Sequence, residues 1–257
     1  MRALRIILII VVVLGGLFVI ADRVAVHLAQ NEAADRIKTN EHLTETPSVS
    51  IDGFPFLTQV AGGELDEIHV GIKDYEVDTG TAGGNGGAGG NGGADTIRID
   101  DLEADMHGVD FSGDYSSATA RTATGTATIS YAELLKAAKS EPTEVVPGVT
   151  AKVLGLSDGG NGKIKVKVRL EGSVLGQKIA QTTSLLSSVT VEGDTVKVHA
   201  DSLPKTGVDL AEQKIRSITD FQQVIDKLPG GIRIDKVEAA EEGVHITAKG
   251  TDVSVTG

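Results

Sequence analysis

From Ile6 to Ala21 the chain runs through sixteen residues without one charged or hydrogen-bonding side chain, and Arg2 and Arg5 stand in front of it. In lipid such a run can satisfy its backbone only as a helix. Its length falls between the apolar core of a signal peptide, about 7 to 15 residues, and the roughly 17 to 25 that span a bilayer. Val19-Ile20-Ala21 is acceptable to a signal peptidase, so cleavage and retention both stay open. The absence of a break after Ala21 leads us to expect an uncleaved anchor. With the arginines held on the cytoplasmic side, everything from Asp22 onward is expected outside, at the extracytoplasmic face of the cell membrane, or exported if cleaved. The organisation expected is a segment over 1–21 followed by one domain over 22–257.

Between Asp22 and Lys38 there is neither Gly nor Pro, and Ala25, Ala29, Ala33 and Ile37 recur every four residues with Val26 and Ala34 beside them. That spacing predicts a helix with one apolar stripe of small side chains, able to approach a sheet closely. Beyond Pro47 the period changes to two. Val49-Ser50-Ile51, the run around Ile68, Val70 and Ile72, Ile97-Arg98-Ile99, Val109-Asp110-Phe111 and Ser116 to Ile129 all read as strands. Hairpins are expected at Asp158 to Gly162, at Gly193-Asp194 and at Glu242-Gly243. Short helices are expected over Tyr131 to Lys139, as a lid or connector, and through Ile218, Phe221, Ile225 and Leu228. The whole is an antiparallel meander with few helices. Aromatic residues make up 3% of the chain, so its interior must be built from Val, Ile, Leu and Ala.

Two tandem hexamers, Gly83 to Ala88 and Gly89 to Ala94, lie within the stretch 80–94. Their Gly-x-Gly-x-x-Gly spacings arise from low complexity and lack the strand-to-helix context of a dinucleotide site. A flexible hairpin insertion is the expectation. Gly155-Leu156-Ser157-Asp158-Gly159 matches a nucleophile elbow in letters only, because a strand rather than a helix follows. An esterase built on Ser157 is therefore the least favoured reading. The six histidines show no metal-ligand spacing. Asp100-Asp101 and Glu241-Glu242 are expected at turns or strand ends as solvated charge, so no acid/base pair stands out. A formal charge of −12 argues against a nucleic-acid partner, and zero cysteines exclude disulfides, thiolate metal sites and a lipid-modified cysteine. No cofactor is expected.

Lys163, Lys165, Lys167 and Arg169 alternate strictly with Ile164, Val166, Val168 and Leu170. The pattern predicts a strand with a cationic face and an aliphatic face. Residues 150–180 carry a net +4 while the rest of the chain carries −16. The four cations are candidates for contact with anionic headgroups, each worth about 1 kcal/mol near such a surface. The bland alternative is a soluble strand face whose charges block edge pairing.

The most specific stretch is Val49 to Gln59, with Gly53-Phe54-Pro55-Phe56-Leu57-Thr58-Gln59 at its centre, followed by Gly62-Gly63 and Asp66-Glu67-Ile68. With the export segment, the Ala-rich helix, Gly125 to Tyr131, Leu228-Pro229 and the hairpin at Gly243, this block resembles the LmeA-like phospholipid-binding domain family of actinobacterial envelope proteins. The resemblance covers nearly the whole chain apart from the glycine hexamers. It implies an α+β, tubular lipid-binding-like fold in which a long curled antiparallel β-sheet wraps around a long helix and leaves an apolar groove. It also implies binding of phospholipid, phosphatidylinositol included, at a membrane, with a role in envelope glycolipid maintenance and no catalytic set. One sixteen-carbon chain hidden from water would gain on the order of 10 kcal/mol, so no catalytic machinery is needed for tight capture. Phe54, Phe56 and Leu57, with Ile164, Val166, Val168 and Leu170, are the candidate lipid-lining residues. A strand end packed in the core is the alternative for the first three. An envelope adaptor that binds protein or polysaccharide is the rival function, and the oligomeric state is left open.

Overall fold

The computed structural model describes residues 2–78, 96–113, 117–137, 142–174, 177–193, 195–201, 216, 220–224 and 231–256. The glycine hexamers, and the turn residue Asp194, lie outside them. One helix, α1 (Arg2–Asn40), carries the apolar run and the Ala-rich stretch without interruption. At 1.5 Å per residue it is about 58 Å long. It is long and apolar enough, by length and composition, to cross a membrane. Its side chains from Leu4 to Ile20 are exposed, and burial begins at Asp22.

Among the described residues, twelve strands follow in two antiparallel sheets. The first contains β1 (Ser48–Asp52), β2 (Glu64–Asp78), β3 (Thr96–Phe111), β4 (Ser117–Ser130), β12 (Gly243–Thr256) and β11 (Arg233–Ala239), in that order. The second contains β10 (Phe221–Val224), β9 (Thr195–Ala200), β8 (Gln177–Glu192), β7 (Lys163–Val174), β6 (Val149–Gly160) and β5 (Thr143–Val146). The sheet curls into a half-barrel, so the fold is α+β with a long N-terminal helix. Strand β11, at the edge of the first sheet, packs on β6, β7 and β8 of the second. A short helix, α3 (Tyr131–Ala137), follows β4 and touches β3, β4 and β6. It is a connector: the Tyr131 hydroxyl donates to the Ala240 carbonyl at 2.7 Å, and the buried Glu133 carboxylate pairs with Lys136 and, at 3.8 Å, with Arg98.

The described residues form two cores, one within the first sheet against α1 and one shared between the second sheet and strands β11 and β12 of the first. Val26 of α1, Phe56, Leu65, Val109, Ala120, Ala123 and Val253 form one, with Ala25 and Ala29 against it. Tyr131, Val149, Ile164, Val166, Val168, Leu170, Leu185, Val237 and Val244 belong to the other. The small-residue stripe of α1 thus meets β1 and the first sheet as its spacing predicts. Both interiors are aliphatic and Ala-rich, with Phe56 and Tyr131 the aromatic residues among their described buried members.

Three expectations change. Phe221 to Val224 is not helical: it pairs antiparallel with β9, Phe221 opposite Val198, because the backbone of that sheet edge offers partners that helical spacing cannot reveal. Ile218, Ile225 and Leu228 lie outside the described residues. Asp100 and Asp101 stand inside β3 rather than at its end, and Asp100 accepts the Ser130 N–H at 2.8 Å. Finally, Phe56–Gly62 is a helix, α2, where a kinked strand end was the alternative expected. Pro55 begins it and Gly63, at φ +79°, ends it, its N–H reaching the Gln59 and Val60 carbonyls.

Candidate functional site

The Gly53 to Gln59 block folds where α1 leaves its apolar stretch. Gly53 has φ +104°, and a Cβ there would meet the Gln59 amide and the Asp66 carboxylate, so glycine is required by both backbone and space. Gln59 accepts the Asp66 N–H at 2.8 Å, which ties α2 to β2. The Phe54–Pro55 peptide bond is cis.

Asp22 reaches this block from α1. It is fully buried, and its Oδ1 accepts the Leu57 N–H at 2.8 Å. A carboxylate from another helix therefore caps the first turn of α2, where orphan N–H groups favour an anion. Arg23 donates to Asp22 Oδ2 at 2.6 Å and holds its guanidinium carbon 5.2 Å from the Phe54 ring centroid. Phe54, 58% exposed, lies under that cation at the surface. Phe56, 7% exposed, is core, and Leu57 is partly buried beside it. The block thus presents one aromatic outward and spends the other on the fold.

Beside this joint a groove of about 710 Å³ runs between α1 and β1, with Val19, Ile20, Val24 and Leu28 on one wall and Ile51 and Asp52 on the other. Its volume lies within the range of small-molecule sites, about 300–1,000 Å³. Arg23 and His27 also line it.

The second group of expected residues lies elsewhere. Ile164, Val166, Val168 and Leu170 face inward from β7, each 3–8% exposed and packed with Leu185, Val237 and Val244. A ligand would reach them only by parting the second sheet from β11. Lys163, Lys165, Lys167 and Arg169 point the other way. Lys163 is held by Asp201 at 2.6 Å and Arg169 by Glu171 at 2.5 Å. Lys165 and Lys167 are exposed, opposite Leu186 and Ser184, and Leu186 and Leu154 are the large exposed apolar side chains among the described residues of this sheet. Lys152 stands opposite Arg169 and adds to the cationic face. The lysine pair of Asp201 and its bond from Ser188 hold that carboxyl below the usual carboxylate range. The structure does not bring the β7 aliphatics and the phenylalanine block together.

Ser157 lies inside β6 opposite Lys165, with the turn to β7 only at Asn161-Gly162. There is no strand-to-helix elbow to raise its hydroxyl.

Sequence reasoning expected an apolar groove from the resemblance but passed over Asp22 and the α1 side chains Val19, Ile20, Val24 and Leu28 that wall it. Asp22 reads as the polar residue that closes an apolar run, and its partner is 35 positions away. The helix α2 did leave a trace, in Pro55 ahead of it and Gly62-Gly63 at its end.

Residues 20–249 match the model of a family described as LmeA-like phospholipid-binding. No curated protein and no solved structure matches the chain.

Proposed function

This chain belongs to the LmeA-like phospholipid-binding family, and from that premise we propose that it is a membrane-tethered, non-enzymatic phospholipid-binding protein. Lipid is the ligand class of the family. The observation that carries the reading for this chain is the placement of its groove: an apolar-walled trench of about 710 Å³ adjoins the end of the apolar run in a helix long and apolar enough to cross a bilayer. A membrane-bound enzyme would need a poised nucleophile or acid/base pair near that trench; a binding protein needs only the apolar walls and a cation at the rim, which Arg23 supplies.

In this reading α1 stays uncleaved and holds the head at the extracytoplasmic face, with Arg2 and Arg5 on the cytoplasmic side. Phe54, Phe56 and Leu57 organise the mouth. The β7 aliphatics Ile164, Val166, Val168 and Leu170 form a deeper wall that would line the path if the sheets part. Lys163, Lys165, Lys167 and Arg169 meet anionic headgroups. Phosphatidylinositol is among the proposed ligands, and maintenance of envelope glycolipids is the proposed role.

The test is lipid extraction and native mass spectrometry of the full chain purified in mild detergent, with uptake of labelled phosphatidylinositol from vesicles as the second measurement. Stoichiometric phospholipid supports the reading and identifies the headgroup class. A lipid-free chain that also takes up no label overturns it and favours an adaptor that binds protein or polysaccharide.

A further inference from the structure

The apolar character of α1 does not end where its charges begin. All round the helix it stops at Ala21, but on one face it continues: Val13, Leu17, Ile20, Val24 and Leu28 follow one another at three- and four-residue spacing, and all are exposed. Asn31 and Asp35 then take over the same face. The buried stripe of the helix, through Asp22, Val26 and Ala34, lies on a different side. From Asp22 to Leu28 the exposed apolar face therefore extends about 10 Å past the last all-apolar turn. Leu28, at 63% exposure, is among the most exposed large apolar side chains of the head-proximal helix.

Nothing in the chain's described residues covers this face, and the groove between α1 and β1 opens directly beside it. Ile20, Val24 and Leu28 are at once the end of the stripe and the outer wall of the groove. The stripe is continuous with the candidate membrane span, so its lower end lies in hydrocarbon when the span is inserted. Arg23 stands at the level where the all-apolar run stops, stacked on Phe54, as a cation and an aromatic ring commonly are at a bilayer interface.

We infer that this groove is a lateral portal, through which an acyl chain of a phospholipid moves from the leaflet around α1 into the head along Ile20, Val24 and Leu28 without crossing water. The inference rests on the proposed phospholipid binding and adds the route. Each methylene kept out of water on that route avoids a cost of about 0.8 kcal/mol. A continuous apolar track therefore lowers the barrier to extraction, whereas a groove separated from the membrane by a polar gap would not.

The chain contains no cysteine, so single labels can be placed without background. Val24→Cys, Leu28→Cys and Asp35→Cys in the full chain, each carrying a bimane, are reconstituted into phosphatidylcholine vesicles whose acyl chains are brominated. Emission at positions 24 and 28 is expected to be quenched, and emission at 35 to stay as in unbrominated vesicles. Equal emission at 28 and 35 overturns the portal. Leu28→Glu provides the second arm, since a solvent-exposed substitution leaves both cores intact. It should slow phospholipid uptake with an unchanged thermal melt, and uptake at the parental rate overturns the portal. Lipid phosphorus per chain is counted on the same labelled chains in detergent, before reconstitution. Bound phospholipid with no quenching at 28 rejects the route alone, whereas no bound phospholipid rejects the binding function.

Discussion

Strand β7 and the joint between α1 and α2 are both amphipathic, yet they hold their shape by different means. In β7, eight consecutive residues alternate between solvent and core, and every one of the four aliphatics lies inside. The joint depends on one carboxylate, Asp22, meeting an N–H 35 residues later, and on Gly53 accepting a backbone that other residues resist. The comparison shows where robustness and fragility lie. A sheet face distributes its stabilisation over many equivalent contacts, whereas a cap between two elements concentrates it in one.

The sharpest way to break the comparison is to exchange the two faces of β7. Val168→Asp places an unpaired charge in the second core, which costs several kcal/mol, and should abolish the cooperative melt followed by circular dichroism. Lys167→Asp, one residue away, should stay within about 0.5 kcal/mol of the parent. At the joint, Gly53→Ala is expected to cost about 1–3 kcal/mol, read from the urea midpoint. Asp22→Ala should lower the melting temperature and speed hydrogen exchange at the Leu57 amide. Asp22→Asn, which retains an acceptor for that amide, should fall between the two. If Asp22→Ala exchanges at the parental rate, the cap does not hold α2.

A smaller effect tests the basic face without touching its core. Neutralising Lys165 and Lys167 together, as glutamines, should weaken binding of the head to anionic vesicles by about 2 kcal/mol, from roughly 1 kcal/mol per cation, with the melt unchanged. Sedimentation with vesicles measures it, and equal binding would assign the lysines to solubility alone. The smallest expected effect is at His69. Its hydrogen bond to Asp105, at 2.5 Å across β2 and β3, raises its pKa against the opposing effect of burial, with Asp105, Glu103 and Asp52 adding attraction. A value raised in the folded state means that the stabilisation is complete below the unfolded value of about 6.5. It is lost as the pH rises through the folded value. Denaturation midpoints across that window should fall slightly with rising pH in the parent and stay flat, relative to it, in His69→Gln.

Much of the architecture was legible because its information is local. The two-residue period of β7 and the four-residue stripe of α1 record which side of each element is buried, and the Asn161-Gly162 and Gly243 turns place the hairpins. The failures share a cause. Phe221 to Val224 has residues that suit a helix or a strand, and the open edge of β9 decides between them. Phe54 and Phe56 are equivalent as letters, but one lies under Arg23 at the surface and the other in the core.

Sequence alone determined the apolar helix, the alternating strands, the aliphatic interior and the family resemblance, because hydrophobic period and composition act over a few neighbouring residues. Only the tertiary structure decided that the strands divide into two sheets joined at β11, that Asp22 caps α2, and that a groove opens where the exposed stripe of α1 passes β1. Those features depend on contacts between segments tens of residues apart. Their free energy is set by the geometry of closure, and no local pattern records it.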